Sequence, residues 1–141
     1  MQLRYFLMVF LLVVNAWGQT EQSEWKAFTS MRNLSRLLVD DTYVWALTAG
    51  GVLRFDRATQ TYNRFTRLDG LPGNDVSSLT VDDKGDLWFG TRFQGLSRLR
   101  VANNRFDEPY MDFADLSINA LYAHEDRIFV ATGLGISAFL V

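Results

Sequence analysis

Arg92, Phe93 and Gln94 set a cation, an aromatic ring and an amide side by side, and Arg67 and Asp69 place opposite charges one residue apart upstream. A ring face beside a guanidinium can stack on a sugar ring or on a peptide side chain. These five residues are therefore the candidate ligand-binding set, with an oligosaccharide or a peptide as the expected partner. Asp40, Asp41, Asp82, Asp83 and Asp86 invite a calcium reading. Their loops are shorter than the roughly 12-residue calcium loop, however, and aspartates bond their own backbone in tight turns without any metal. His124 beside Glu125 and Asp126 has the composition of a general base or a metal ligand, but it is the chain's single histidine and no cysteine accompanies it. That inventory excludes disulfides, cysteine-ligated zinc, iron–sulfur clusters and a thiol nucleophile. The expectation is a protein without catalytic residues, metal or cofactor.

The elements that carry these residues are legible from composition and periodicity. The chain has 141 residues, 48% of them apolar and 21% charged, the balance of a globular fold. Fourteen Lys and Arg against 16 Asp and Glu give a formal charge of −2, too little positive field to hold a phosphate backbone, so nucleic acid is not an expected partner. Eleven Phe, 5 Tyr and 4 Trp with only 2 Pro suit pleated strands, whose faces pack aromatic side chains well.

Beyond the first residues the sequence repeats. Val44-Trp45-Ala46-Leu47-Thr48 aligns with Leu87-Trp88-Phe89-Gly90-Thr91 and with Ile128-Phe129-Val130-Ala131-Thr132, the aromatics lying 43 and 41 residues apart. Ser35-Arg36-Leu37, Ser77-Ser78-Leu79 and Asn119-Ala120-Leu121 fall in register upstream, and Gly51-Val52-Leu53-Arg54, Gly95-Leu96-Ser97-Arg98 and Gly135-Ile136-Ser137-Ala138 downstream. Alternation of apolar and small polar residues over Val76 to Val81 predicts a first strand. An aspartate turn leads to the Trp strand, and a small-residue turn to a third strand over Gly95 to Leu99. Thr61 to Thr66 and Phe106 to Tyr110 read as fourth strands, and Asp69-Gly70-Leu71-Pro72-Gly73-Asn74 as the turn that closes the unit. Four strands in about 42 residues make the blade of a β-propeller. The fold class is thus all-β: a partial β-propeller of about two to three four-stranded antiparallel blades, with units 34–75 and 76–117 complete and 118–141 incomplete. The recurrent Trp45, Trp88 and Phe129 are expected in the core between blades.

The string Asp69-Gly70-Leu71-Pro72-Gly73-Asn74 with Val76-Ser77-Ser78-Leu79, then Asp82-Asp83-Lys84-Gly85, Leu87-Trp88-Phe89-Gly90-Thr91 and Gly95-Leu96-Ser97-Arg98, resembles the two-component regulator propeller repeat. The resemblance extends over about residues 25 to 141; the first unit departs from it at Ala49-Gly50, and the third has Phe129 in place of Trp. It implies extracytoplasmic sensing or binding, commonly ahead of a membrane helix and a histidine kinase, neither of which lies in this sequence. A WD40 reading fits less well, since no Gly-His pair or closing Trp-Asp occurs. Three functions are compatible with these features: a non-catalytic sensor or ligand-binding propeller, a surface or secretion-associated scaffold that binds protein, and a propeller lyase or hydrolase. Catalysis of the last kind requires more than the lone His124.

Residues 1–18 read as a signal peptide: Arg4 precedes an unbroken apolar run from Tyr5 to Val14, and Ala16-Trp17-Gly18 offers small residues at a cleavage site. Within residues 19–33, Ser23 to Thr29 has Trp25 and Phe28 at the interval of Tyr62 and Phe65, the pattern of a lone fourth strand. The chain is expected to be the N-terminal portion of a longer propeller, periplasmic or at the cell surface, completed by further blades of the same chain or by a neighbouring copy. An apolar run this short falls well below the roughly 20 residues of a membrane-spanning helix. Mass spectrometry of the exported protein should accordingly find an N-terminus near Gln19, whereas intact Met1 in the membrane fraction would contradict the leader assignment.

Overall fold

The computed structural model describes residues 33–141; the leader and the Ser23 to Thr29 strand expected from sequence lie outside that range. Alternating apolar residues and turn-forming Asp and Gly generate a first antiparallel sheet of four strands: β1 (Leu34–Val39), β2 (Tyr43–Thr48), β3 (Gly51–Asp56) and β4 (Thr61–Phe65), hydrogen-bonded in that order. A single 3-10 turn, Arg67–Asp69, follows. The remaining strands are β5 (Val76–Val81), β6 (Leu87–Arg100), β7 (Arg105–Phe106), β8 (Tyr110–His124), β9 (Arg127–Thr132) and β10 (Gly135–Leu140). They form one sheet in the order β10-β9-β8-β6-β5, with β7 paired to β6. Among the described residues no helix is long and apolar enough to cross a membrane.

The repeat unit is therefore realised as a propeller blade, and the chain is a partial β-propeller. The register confirms the sequence alignment. Trp45 of β2 lies opposite Arg54 and Leu38, and Phe129 of β9 lies opposite Ala138 and Tyr122. Trp45 and Trp88 are both fully buried.

Period-two alternation gives each blade two apolar faces, and blades stack face to face. Trp45, Leu47 and Val52 of the first blade pack against Leu87, Phe89 and Leu99 of the second, sealed by Phe65, Leu71 and Val76. The Trp45 ring lies 6.2 Å from Phe89, and Phe106 contacts both Phe65 and Phe89. The opposite face of the second blade carries Trp88 and Leu96, which meet Ile118, Leu121, Ile128 and Val130 of the third. Phe139, next to Trp88 at 5.5 Å, joins that cluster with Tyr110. A residue and its sequence neighbour, Trp88 and Phe89, thus belong to different cores. Ser77 Oγ adds a bond across blades to the Ile118 carbonyl, and Thr80 Oγ1 accepts from Ala123 N at 3.2 Å.

Three features differ from the sequence expectation. The second and third strands of the middle blade run on as one element, β6, because Arg92 and Gln94 pair with Ser117 and Ala114 of β8 instead of forming a free turn. Its fourth strand is likewise split, with Arg105 and Phe106 opposite Arg100 and Leu99, and Tyr110 opposite Leu96 at the start of β8. A strand that leaves one blade and enters the next without a turn welds the two into a six-stranded sheet. Phe129, expected in the core with Trp45 and Trp88, is only half-buried and belongs to no core cluster of the described residues, because Tyr122, Ile136 and Leu140 on its side of the third blade are exposed.

Candidate functional site

Because consecutive strands of a blade are antiparallel, its turns alternate between two ends of the molecule. One end collects the β2–β3 turn, the connector 66–75, residues 92–94 within β6 and the β9–β10 turn. The other collects the aspartate turns after β1 and β5 and the β8–β9 turn with Glu125 and Asp126.

At the aspartate end the carboxylates of Asp40, Asp82 and Asp86 are consumed by folding, while Asp41, Asp83, Glu125 and Asp126 are exposed. Asp40 Oδ1 accepts from the amides of Thr42 and Tyr43, at 2.7 and 2.6 Å, and its Oδ2 accepts from Trp45 Nε1 at 3.2 Å. Asp82 repeats this and adds a cation. Its Oδ1 takes the amides of Lys84 and Asp86, and its Oδ2 takes Trp88 Nε1 at 2.9 Å. Arg98 Nη2 bridges Asp82 at 2.9 Å and Asp86 at 2.8 Å while its guanidinium lies 5.2 Å from the Trp88 ring. All four side chains are buried. Burial pushes the Asp82 carboxyl up, but the bonds from Trp88 and Asp86, the Arg98 charge and the Lys84 amide outweigh it, and the group titrates below its ordinary value. These aspartates organise turns and hold the indoles, as Asx chemistry predicts. Among the described residues no cluster of His, Asp and Glu has the arrangement of a metal site. His124 is exposed and stacks on Tyr122 with ring centroids 6.3 Å apart. An open depression of about 240 Å³ beside it is lined by Asp82, Asp83, Lys84, Glu125, Asp126 and Val141.

At the opposite end lie the five residues singled out by sequence. Arg67 and Asp69 are on the 3-10 turn. The Asp69 carboxylate closes a capping box, accepting from Thr66 N at 2.8 Å and from Thr66 Oγ1 at 2.9 Å, so its lone pairs serve the turn. The Arg67 amide donates to Asn74 Oδ1 at 2.9 Å, while its side chain is exposed. Arg92 binds the same connector: its amide donates to the Asp75 carbonyl at 3.0 Å and its guanidinium pairs with the Asp75 carboxylate at 3.6 Å. Gln94 lies across Gly73, where a Cβ would fall 1.7 Å from Gln94 Oε1, so a larger residue there would displace the glutamine side chain. Between these two anchors Phe93 holds a left-handed backbone, φ 67°, and remains 58% exposed. A bulky side chain seldom adopts that conformation, and here the pairing of Arg92 and Gln94 on either side imposes it. The structure thus joins Arg92 and Gln94 to the connector that carries Arg67 and Asp69.

Sequence reasoning overlooked the partners on β8. The register slips at both 92/94 and 94/96 produce bulges over Met111 to Phe113 and over Asp115 to Leu116, and Asp115 is itself left-handed, φ 66°. The stretch Met111-Asp112-Phe113-Ala114-Asp115 breaks strand alternation, which was the available signal. Arg98 was also missed as the centre of the buried cluster, although the Gly-x-x-Arg spacing shared by Gly51–Arg54 and Gly95–Arg98 marked it.

With this geometry in view, the relation to known proteins is specific. Residues 70–93 match the family model of the two-component regulator propeller, and the chain carries that repeat. Among solved structures it is similar to the extracellular domain of a hybrid two component system from B. thetaiotaomicron, with 20% identity and a TM-score of 0.60 over 76% of this chain and 15% of that one. It is also similar to PorZ, a surface component of the type-IX secretion system of Porphyromonas gingivalis, with 19% identity and a TM-score of 0.68 over 79% of this chain and 16% of that one. Virginiamycin B lyase from Staphylococcus aureus aligns at 18% identity and a TM-score of 0.53 over 70% of this chain and 34% of the lyase. These likenesses establish a common propeller fold. The chain spans about a sixth of the length of the first two structures. No curated protein matches it.

Removing the cation from the buried cluster tests how the blade is held. Arg98→Met leaves two buried carboxylates without a counter-charge and should cost about 3–5 kcal/mol at neutral pH, measured by urea denaturation. The Asp82 contribution, from a group with a lowered folded value, is present above the ordinary value of 3.8 and is lost as pH falls through the folded value. Parent stability should therefore decline below 3.8, and the deficit of Arg98→Met should shrink there as the stranded Asp82 carboxylate protonates.

Proposed function

We propose that this chain is a non-catalytic, extracytoplasmic propeller segment that binds a ligand at the loop end formed by the connector 66–75 and residues 92–94. The observation that carries the reading is the contrast between the two ends. At one end the carboxylates of Asp40, Asp82 and Asp86 are spent on turns, indoles and Arg98. At the other, Phe93 is presented on a rigid, doubly anchored loop and Leu68 stands 98% exposed on the 3-10 turn. Large apolar side chains held out by ordered loops on a repetitive scaffold suit recognition, and Arg67, Arg92 and Gln94 add donors for hydroxyl or carbonyl groups of a sugar or a peptide.

The leader-like residues 1–18 support an exported location, periplasmic or on the cell surface. The two-component regulator repeat supports a sensory role, in which the propeller feeds an output carried elsewhere in a longer protein. Domain boundaries at 34–75, 76–117 and 118–141 follow the repeat and the Trp45, Trp88 and Phe129 positions. A second reading, a secretion-associated or surface scaffold that binds another protein, draws on the likeness to PorZ and on exposed Leu134 in the β9–β10 turn. A lyase reading would route chemistry through His124, which sits at the end opposite the loop set.

Glycan and peptide arrays probed with the labelled chain test the proposal. Binding should fall about tenfold or more in Phe93→Ala and in Arg92→Ala, a loss on the scale of one stacked or charge-assisted contact. Undiminished binding by both variants, at unchanged melting temperature, would move the site away from this end.

A further inference from the structure

Beside Phe93 lies a second group of exposed residues to which the sequence pattern assigned nothing. Met111 is 58% exposed and opens the first bulge of β8. Its Sδ lies 3.7 Å from where a Gly95 Cβ would stand, so the thioether rests on the same loop that ends in Gln94. Asp112 follows it, and Asp115 occupies the second bulge, in the span of β8 between the partners of Arg92 and Gln94 and so facing Phe93 across the ladder. Both aspartates are exposed, and among the described residues neither side chain takes a hydrogen bond or an ion pair. They differ in this from Asp69, tied into its cap, and from Asp75, paired with Arg92. Asp112 and Asp115 therefore bring to this corner two carboxylates that no described cation pairs, on the β8 segment that also carries the exposed, polarizable Met111 and lies opposite Phe93.

Resting on the reading of this end as the recognition face, we propose that the Phe93, Met111, Asp112 and Asp115 corner binds a basic side chain of a peptide or protein, a lysine or arginine presented on an extended segment. The chemistry is complementary on each count. An exposed ring attracts a cation over its face, and the attraction strengthens as water is displaced. A flexible thioether accommodates the aliphatic stem of Lys or Arg, and two unpaired carboxylates supply charge-assisted acceptors for the head group. A neutral oligosaccharide would use the ring and could donate hydroxyls to the carboxylates, but it brings no charge to neutralise them.

Backbone-amide NMR of the full chain titrated with a capped lysine-rich peptide, its norleucine analogue and maltoheptaose tests this assignment. The lysine peptide should shift the amides of Phe93, Met111, Asp112 and Asp115, and added salt should reverse the shifts. The norleucine analogue should bind about tenfold more weakly or worse. Asp112→Asn with Asp115→Asn, which preserves shape, should weaken the lysine peptide to the level of its analogue, and Phe93→Ala should weaken both. Equal affinity of the double variant and the parent, or a perturbation map centred elsewhere, would overturn the proposal. Shifts at these amides with maltoheptaose but not with the lysine peptide would overturn the cationic assignment while leaving recognition at this end intact; silence from all three probes at this end would count against both.

Discussion

The fold depends on burying a tryptophan between blades without orphaning its N–H. An indole brings more apolar surface to the interface than any other side chain but carries one donor that cannot be left dry. In this chain the donor is met by the aspartate that makes the preceding turn: Asp40 for Trp45 and Asp82 for Trp88. One residue therefore sets the hairpin, caps the indole and fixes the depth at which the next blade docks. An arginine on the neighbouring strand lies over the ring in both cases, 5.5 Å away for Arg54 and 5.2 Å for Arg98.

The third blade shows that these three residues act as a set. At the positions of Asp, Trp and Arg it has His124, Phe129 and Ala138, as the pairing of Ala123 with Ile128 and of Phe129 with Ala138 establishes. A phenyl ring needs no acceptor. Without the acceptor no buried carboxylate needs a cation, and alanine suffices where the arginine stood. The first blade is intermediate. Its Arg54 is half-buried, stacks on Tyr43, Trp45 and Phe65, and reaches Asn104 in the next blade at 2.7 Å instead of the aspartate. Among the described residues only the middle blade, flanked on both faces, encloses the full ion cluster.

That hierarchy explains what the sequence disclosed. The period, the strand types and the burial of Trp45 and Trp88 follow from alternation and turn chemistry, which are local and repeat with the blade. The ion cluster was hidden because Asp82 and Asp86 look identical to any turn aspartates until the course of β6 returns Arg98, 16 residues after Asp82, to the turn. The joining of the middle and third blades was hidden for a related reason. Arg92-Phe93-Gln94 reads as a loop with one extra residue, and its pairing with Ala114 and Ser117 depends on where β8 passes. The candidate site was partly legible, since the departure of residues 92–94 from the repeat pointed to the right corner. Met111, Asp112 and Asp115 offered only a break in strand alternation, which does not say what the stretch pairs with, because bulges carry no fixed spacing.

The blade interfaces depend on two indole N–H groups being held by turn aspartates. Hydrogen exchange of the tryptophan side chains, followed by NMR of the nitrogen-labelled protein, measures this directly. Two indole protons, those of Trp45 and Trp88, should exchange slowly, with Trp88 the slower because Arg98 and Asp86 close its surroundings; Asp82→Ala should accelerate Trp88 and leave Trp45 unaffected. Rapid exchange of both indoles in the native protein, or an Asp82→Ala variant in which Trp88 remains as protected as before, would contradict it.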